Sequence, residues 1–208
     1  MRFIAIFGVL SSFAWSSSSE AAKYTFGTSG STVTFHNTAS LHGIDGVAKA
    51  FRGSFDSDAG TGVLTVQTRS MTTNLGPRDK KMHTYCLEVD KFPTIEFNVA
   101  KVQGGEALNS GAYRGRVNLD GDLTIRDVTR KISVPTSFET VGKDLILKGE
   151  IAFKWTDFDV PDPSIFISTL YPDMSVKFAL KMIGEEPPPP QEVAPPSDST
   201  ETTAEPIE

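Results

Sequence analysis

The chain has 208 residues, 26 acidic against 20 basic side chains, a formal net charge of −6 and 38% hydrophobic residues. No lysine–arginine cluster exceeds a couple of residues, which argues against nucleic-acid binding. The single cysteine, Cys86, excludes an internal disulfide framework.

In chain order, Arg2 precedes an apolar run, Phe3 to Leu10, that continues weakly to Trp15 and is too short to span a bilayer. Small residues follow from Ser16 to Ala22. Residues 1–21 are expected to be a secretory signal peptide cleaved near Ser19 to Ala21, leaving no transmembrane segment in the mature protein. A buried helix is disfavoured by the serines around Trp15, and a retained anchor is the remaining alternative. No lipobox-like cysteine is present.

Tyr24-Thr25-Phe26 leads through a glycine-bearing turn into Thr32 to His36, where Val33 and Phe35 share the face of an alternating strand. Leu41 to Gly46 is expected as a loop or tight bend. Phe51, Gly53 and Phe55 share a second inward face, where the glycine suits close backbone approach. Gly60-Thr61-Gly62 then turns the chain into a strand carrying Leu64.

The stretch Arg78 to Phe97 changes character halfway. Arg78 to Leu87 places Met82, Tyr85, Cys86 and Leu87 at helical spacing. Asp79 sits near the start, where a carboxylate can satisfy free backbone N–H groups. Phe92-Pro93 breaks the helix, and Ile95, Phe97 and Val99 then alternate as a half-buried strand. Such a helix suits the role of lid on a barrel.

After a polar turn at 104–111, Val117, Leu119, Leu123 and Ile125 face one way with Gly121 among them. Arg126 to Arg130 is expected as a hairpin turn into Lys131 to Pro135. Leu145, Leu147, Ile151, Phe153 and Trp155 share the apolar face of another long strand interrupted by Gly149. Ser175 to Lys181, carrying Phe178, closes the folded part. From Gly184 onward four prolines and a Pro-, Glu-, Ser- and Thr-rich segment read as a disordered tail, 184–208, because such composition buries too little surface to offset chain entropy.

About eight alternating strands, one short helix and no βαβ alternation favour an all-β, antiparallel up-and-down barrel over residues 22–183. Barrels of this size fill with side chains or hold one small ligand. Gly53, Gly121 and Gly149 on inward faces are expected to leave volume. By strand phase the candidate lining is Val33, Phe35, Phe51, Phe55, Leu64, Ile95, Phe97, Val117, Leu119, Leu123, Ile151, Phe153, Trp155 and Phe178, with Met82 and Leu87 closing one end from the helix.

Several of these segments resemble the YceI-like family. Arg78-Asp79, Met82 and Leu87 to Phe97 match its central pattern of an Arg-Asp pair, an apolar residue and an aromatic-Pro-x-Ile-x-Phe strand entry. Val33-x-Phe35, Phe51-x-Gly53-x-Phe55 and Gly121-x-Leu123-Thr124-Ile125 followed by Val128-Thr129 also agree. The loop around His42 is longer than usual, and Arg126-Asp127 stand where His-Gly is common. The resemblance implies a lipocalin-like periplasmic barrel holding an isoprenoid-type chain, with an amphiphilic lipid or isoprenoid quinone as partner and no other cofactor. The sequence is also compatible with a homodimer of such barrels.

Two alternatives remain. One is a filled barrel acting as a periplasmic interaction or stress protein, its proline-rich tail meeting a partner or the cell wall. The other is a metal-dependent or acid–base enzyme built from His36, His42 and His83 with Asp45, Asp79 or Glu88. Those residues lack the spacing of a common metal motif. Asp157, Asp159 and Asp162 lack the Gly/Glu pattern of a calcium loop. Neither a catalytic residue nor a metal ligand is assigned, and no enzyme activity is expected.

Overall fold

The computed structural model describes residues 23–110, 112–164 and 168–185. The expected signal peptide and all of the tail beyond Glu185 lie outside these residues. Eleven strand segments build the wall: β1 (Lys23–Gly27), β2 (Thr32–Ala39), β3 (Gly43–Ala48), β4 (Phe51–Asp56), β5 (Thr61–Gln67), β6 (Met71–Thr72), β7 (Thr94–Gln103), β8 (Arg114–Ile125), β9 (Val128–Val141), β10 (Asp144–Lys154) and β11 (Leu170–Gly184). They form eight antiparallel staves, because β1 continues into β2, β3 into β4 and β5 into β6. β11 closes the ring by pairing with both β2 and the start of β1. The result is the up-and-down barrel anticipated from the alternation.

The breaks within the first three staves have a physical cause. Inward residues run Ile44, Gly46, Ala48 and then Phe51, Gly53, Phe55, so the phase slips by one residue at Lys49–Ala50. The neighbouring stave is interrupted by a 3-10 turn, Thr68–Ser70. Ser70 Oγ accepts from Ala50 N (2.9 Å) and donates to Gln67 O (2.7 Å), pinning the two breaks side by side. Such paired irregularities let a strongly twisted sheet turn a corner without losing its alternation.

Several local expectations change. The bend around His42 is tight, and Gly43 to Ala48 is strand rather than loop. The β8–β9 hairpin turns on Arg126 and Asp127 alone, with β9 starting at Val128. β10 ends at Lys154, so Trp155 belongs to a 3-10 turn, Trp155–Phe158, instead of the strand.

The helix begins two residues earlier than its periodicity suggests, as α1 (Gly76–Lys81), with Pro77 in its first turn. It continues as a π-helical turn over Met82–Cys86. A second short helix, α2 (Glu106–Asn109), lies in the β7–β8 connection at the opposite end of the barrel.

The inward glycines do not leave empty notches. Register places a phenylalanine directly opposite a glycine in five strand pairs: Phe26–Gly53, Phe35–Gly46, Phe55–Gly62, Phe138–Gly115 and Phe178–Gly149. In each, a Cβ on the glycine would overlap the ring of its partner. At Gly121 a Cβ would first meet the Asn98 carbonyl, with the Phe97 ring beside it. The rings occupy the space that side chains on those glycines would have taken, lying over the backbone of the neighbouring strand.

Candidate ligand-binding cavity

Burial falls off along the barrel axis. Inward residues of β10 near α2 are sealed, Leu145 at 2% and Leu147 at 1% exposure, whereas Ile151 and Phe153 farther along the same face are only half-buried. β11 repeats the gradient, from buried Met182, Leu180 and Phe178 to half-buried Val176 and Met174. The partly exposed stretch faces a cavity of about 590 Å³ that extends from the helix end down to Phe26 and Met182. Its wall is almost wholly apolar; apart from Asn37 and Ser54, its polar residues His42, Thr73, Arg78, Lys81, Ser164 and Ser168 gather toward the helix end.

Of the residues selected by strand phase, Val33, Phe35, Phe55, Leu64, Ile95, Phe97, Leu119, Leu123, Ile151, Phe153, Trp155 and Phe178 face this cavity, together with Met82 and Leu87 from the helical segment. Phe51 and Val117 do not. Both are buried in the apolar core. Val117 sits opposite Thr136 and close to the Gly115–Phe138 pair, in the packed floor. Strand phase selects the inward face of a stave and is silent on which part of that face is packed. Sequence reasoning passed over Asn37, Ile44, Cys86, Val160 and Leu170, which also line the cavity. Asn37 was within reach, since it shares the phase of Val33 and Phe35.

The mouth is built by α1 on one side and the β10–β11 connection on the other. Lys81 Nζ ties them together by donating to the carbonyl of Pro163 (2.6 Å). Asp79 does not cap its own helix. It accepts instead from Thr73 N (2.7 Å), Thr73 Oγ1 (2.5 Å) and Thr72 Oγ1 (2.5 Å), gripping the chain between β6 and α1. Burial opposes charge on this carboxylate. The hydrogen bonds from Thr72 and Thr73, with His83 nearby, outweigh it and hold the carboxyl below its usual value. Arg78 Nε donates to Thr73 Oγ1 (2.7 Å), so both members of the Arg-Asp pair serve the same joint. Burial pushes the Cys86 thiol up to about 11, which leaves it a neutral, weakly nucleophilic part of the wall.

Comparison with known proteins agrees with this geometry. A YceI-like domain is matched over residues 24–182, the whole of the barrel. The chain belongs to the YceI-like family. Similar sequences include a UPF0312 protein of Vibrio vulnificus strain YJ016, 28% identical over 171 residues that cover 75% of this chain and 85% of the relative. Another, from Ectopseudomonas mendocina, is 30% identical over 128 residues, covering 55% and 63%. Among solved structures, a polyisoprenoid binding domain from Saccharophagus degradans superposes with a TM-score of 0.68 at 15% identity, covering 80% of this chain and all of that domain. BcnA of Burkholderia cenocepacia gives 0.64 at 18%, covering 75% and 98%. These distant likenesses establish the fold.

The Arg126-Asp127 turn of this YceI-like chain holds a structural joint. Arg126 has a left-handed backbone (φ 57°), a conformation costly for a side-chain-bearing residue. Its guanidinium pairs with Glu88, donates to the carbonyl of Asp159 (2.6 Å) and lies over the Phe92 ring. Glu88 (φ 43°) and Asp159 (φ 50°) are left-handed too. One side chain thus fastens three strained turns: the exit of the helical segment, the β8–β9 hairpin and the turn after β10.

The groups considered for catalysis or metal binding fall into separate pairs rather than one cluster. His36 pairs with Asp45 across the outer face of β2–β3 (2.7 Å), His83 contacts the Met71 carbonyl (2.8 Å) and Glu88 is held by Arg126. Asp162 accepts from Ser164, while Asp159 terminates a 3-10 turn. Among the described residues, no three His, Cys, Asp or Glu side chains gather as a metal site, and no helix is long and apolar enough to cross a membrane.

Proposed function

We propose that this YceI-like protein binds the hydrophobic chain of an isoprenoid-type amphiphile inside its barrel and releases it unchanged. The observation that carries the reading is the apolar cavity of about 590 Å³ running inside a closed barrel. That volume suits a small-molecule ligand, and the axial shape suits a chain rather than a compact ring system. Removing apolar surface from water contributes roughly 25 cal/mol per Å² before ordering costs, so a long prenyl chain needs few polar contacts. The polyisoprenoid-binding relative from Saccharophagus degradans supports the chemical class.

The ligand-binding residues are those facing the cavity, with Met82 and Leu87 beneath the helical lid. Residues 1–21 would direct the chain to the periplasm and be removed there, and the tail, which starts after β11 rather than at Gly184, would remain outside the binding domain. Among the described residues no Asp or Glu lines the cavity, which supports binding without catalysis.

Native mass spectrometry of the mature protein from its own host, followed by organic extraction, tests this. A stoichiometric prenyl-chain mass is the expected result. A protein that arrives empty and refuses added isoprenoid quinones and alcohols would rule the reading out. Ile151→Asp, which places a charge in the wall, is expected to abolish loading while the barrel still folds.

A further inference from the structure

The formal net charge of −6 is spread unevenly along the chain. Residues 185–208 hold seven carboxylates and no basic side chain, a share of −7, which leaves +1 on residues 1–184. A strongly acidic extension is thus attached to a barrel of nearly balanced charge.

The outer face of that barrel carries a surface of the opposite sign. Arg114 and Arg116 of β8, Ser137 and Glu139 of β9, and Ile146 and Lys148 of β10 surround a groove of about 340 Å³. Register sets them side by side. Arg116 stands opposite Ser137 and Ser137 opposite Lys148, while Arg114, Glu139 and Ile146 form the adjoining row. Three other lysines on β9 and β11 have carboxylate partners: Lys131 with Asp122, Lys177 with Glu150 and Lys181 with Asp144. Among the described residues, Arg114, Arg116 and Lys148 form no ion pair. Glu139, the one acid in the groove, accepts a hydrogen bond from Tyr113 Oη (2.9 Å), and the three cations outnumber it.

The acidic extension departs from the same end of the barrel. β11 ends at Gly184, which lies against the Lys143 carbonyl in the β9–β10 turn, and Glu185 N donates to the Lys23 carbonyl (2.8 Å). Lys181 of β11 stands opposite Ile146, so the groove's second row runs on to the strand that bears the extension. At ordinary strand rise and spacing the groove lies roughly 20 Å from Glu185. Residues 186–197 cover about 37 Å when extended at 3.1 Å per residue, enough to span that gap.

We propose that residues 192–201 dock in this groove of their own chain, with Asp198 and Glu201 against Arg116 and Lys148. The segment is rich in proline, and a polyproline helix of three residues per turn would place Glu192, Asp198 and Glu201 on one face. Asp198 and Glu201 would then be separated by about 9 Å, close to the two strand spacings of about 10 Å between Arg116 and Lys148. Each exposed ion pair contributes little alone, but tethering supplies the acidic segment at an effective concentration on the order of millimolar. The docking needs no ligand in the barrel and stands apart from the carrier reading.

A nitroxide on Thr203→Cys in the full mature chain tests this, with Cys86→Ala so that only the tail is labelled. Paramagnetic broadening of barrel amides is the readout. It should centre on Arg116, Ser137 and Lys148 in about 0.01 M salt. It should be lost in about 1 M salt, as the Debye length falls from about 30 Å to about 3 Å. Arg116→Glu with Lys148→Glu, both at exposed positions, should abolish the broadening while the barrel stays folded. Broadening that survives the double variant, or that spares the groove, would overturn the proposal. Labelled chain mixed with unlabelled, isotope-enriched chain reads only contacts between copies. Broadening of the groove in that mixture as strong as within one chain would assign the groove to a second copy's tail and overturn docking within the chain; its absence there supports it.

Discussion

The two ends of the barrel are made from the same strands and the same alternation, yet they behave differently. Near α2 the inward residues Val117, Phe138, Leu145 and Met182 pack against one another and are fully enclosed. Near α1 the inward residues stop meeting. Pairing of β10 with β9 ends at Gly149–Thr136, and the Trp155–Phe158 turn takes up the space as the strands part. Hydrophobic content is therefore a poor guide to where a ligand can sit. What differs is whether facing staves stay close enough for their side chains to interdigitate. Strain follows the same division, since Asn74, Glu88, Arg126 and Asp159, the non-glycine left-handed residues among the described ones, all lie at the helix end.

Truncating one aromatic at each end tests that contrast most directly. Phe138→Ala leaves a void in a close-packed floor and should destabilise the protein by about 3–5 kcal/mol, read from denaturant midpoints at unchanged m-value. Phe153→Ala enlarges an existing cavity and loses an edge contact with Phe158, and should cost about 1–2 kcal/mol, while altering which chain lengths bind. Equal losses would mean that the helix end is as tightly packed as the floor.

Adding volume sharpens the same distinction. Gly115→Val forces the Phe138 ring out of the floor and should cost about 1–3 kcal/mol by overpacking, with binding retained in the fraction that folds. Gly46→Val displaces the Phe35 ring, and the free space lies in the lumen. Its larger effect should be on affinity, about tenfold or more for a C20 prenyl alcohol, with a smaller change in melting temperature.

The strained joint should respond next. Arg126→Ala removes a guanidinium that is mostly enclosed, while its partner Glu88 is more than a third exposed. A loss of about 1–3 kcal/mol is expected, between the values for surface and buried pairs, with faster amide exchange at Val89 and Asp159 than at Leu145. Uniform acceleration across the barrel would show that the joint is not local.

The smallest effect is one of pH. Because Asp79 has a folded-state pKa below its unfolded value, its contribution is present above about pH 4 and is lost as pH falls through the lowered value. Acidification should loosen Thr72 and Thr73 before it affects the floor. Asp79→Asn should abolish that early step, and its persistence would assign the step to another carboxylate.

Much of this was legible in the residues. Alternation identified the staves, and Phe92-Pro93 marked the passage from helix to strand. The Arg78-Asp79 and Gly121-x-Leu123 patterns pointed to the family. The Phe–Gly pairs were not legible, because Phe26 and Gly53 meet only through a register that no local pattern encodes. The role of Asp79 was misread for a related reason. A carboxylate in a first helical turn ordinarily serves that helix, and only the chain reversal after β6 brings Thr72 and Thr73 within its reach. Asn37 was concealed by category: a polar residue on an apolar phase reads as noise until its partners are known.

The flat-lying rings also bear on how such a container could diversify. Where only the ring stands over the glycine, as Phe35 does over Gly46, the bore is set by one hydrogen atom on the opposite strand, and substituting alanine would move that ring. Bore could then be tuned at that height without altering strand number, register or the lid, whereas at Gly53, Gly62 and Gly149 a backbone carbonyl also stands in the way. A single scaffold could be fitted to chains of different girth as a tailor takes in a seam.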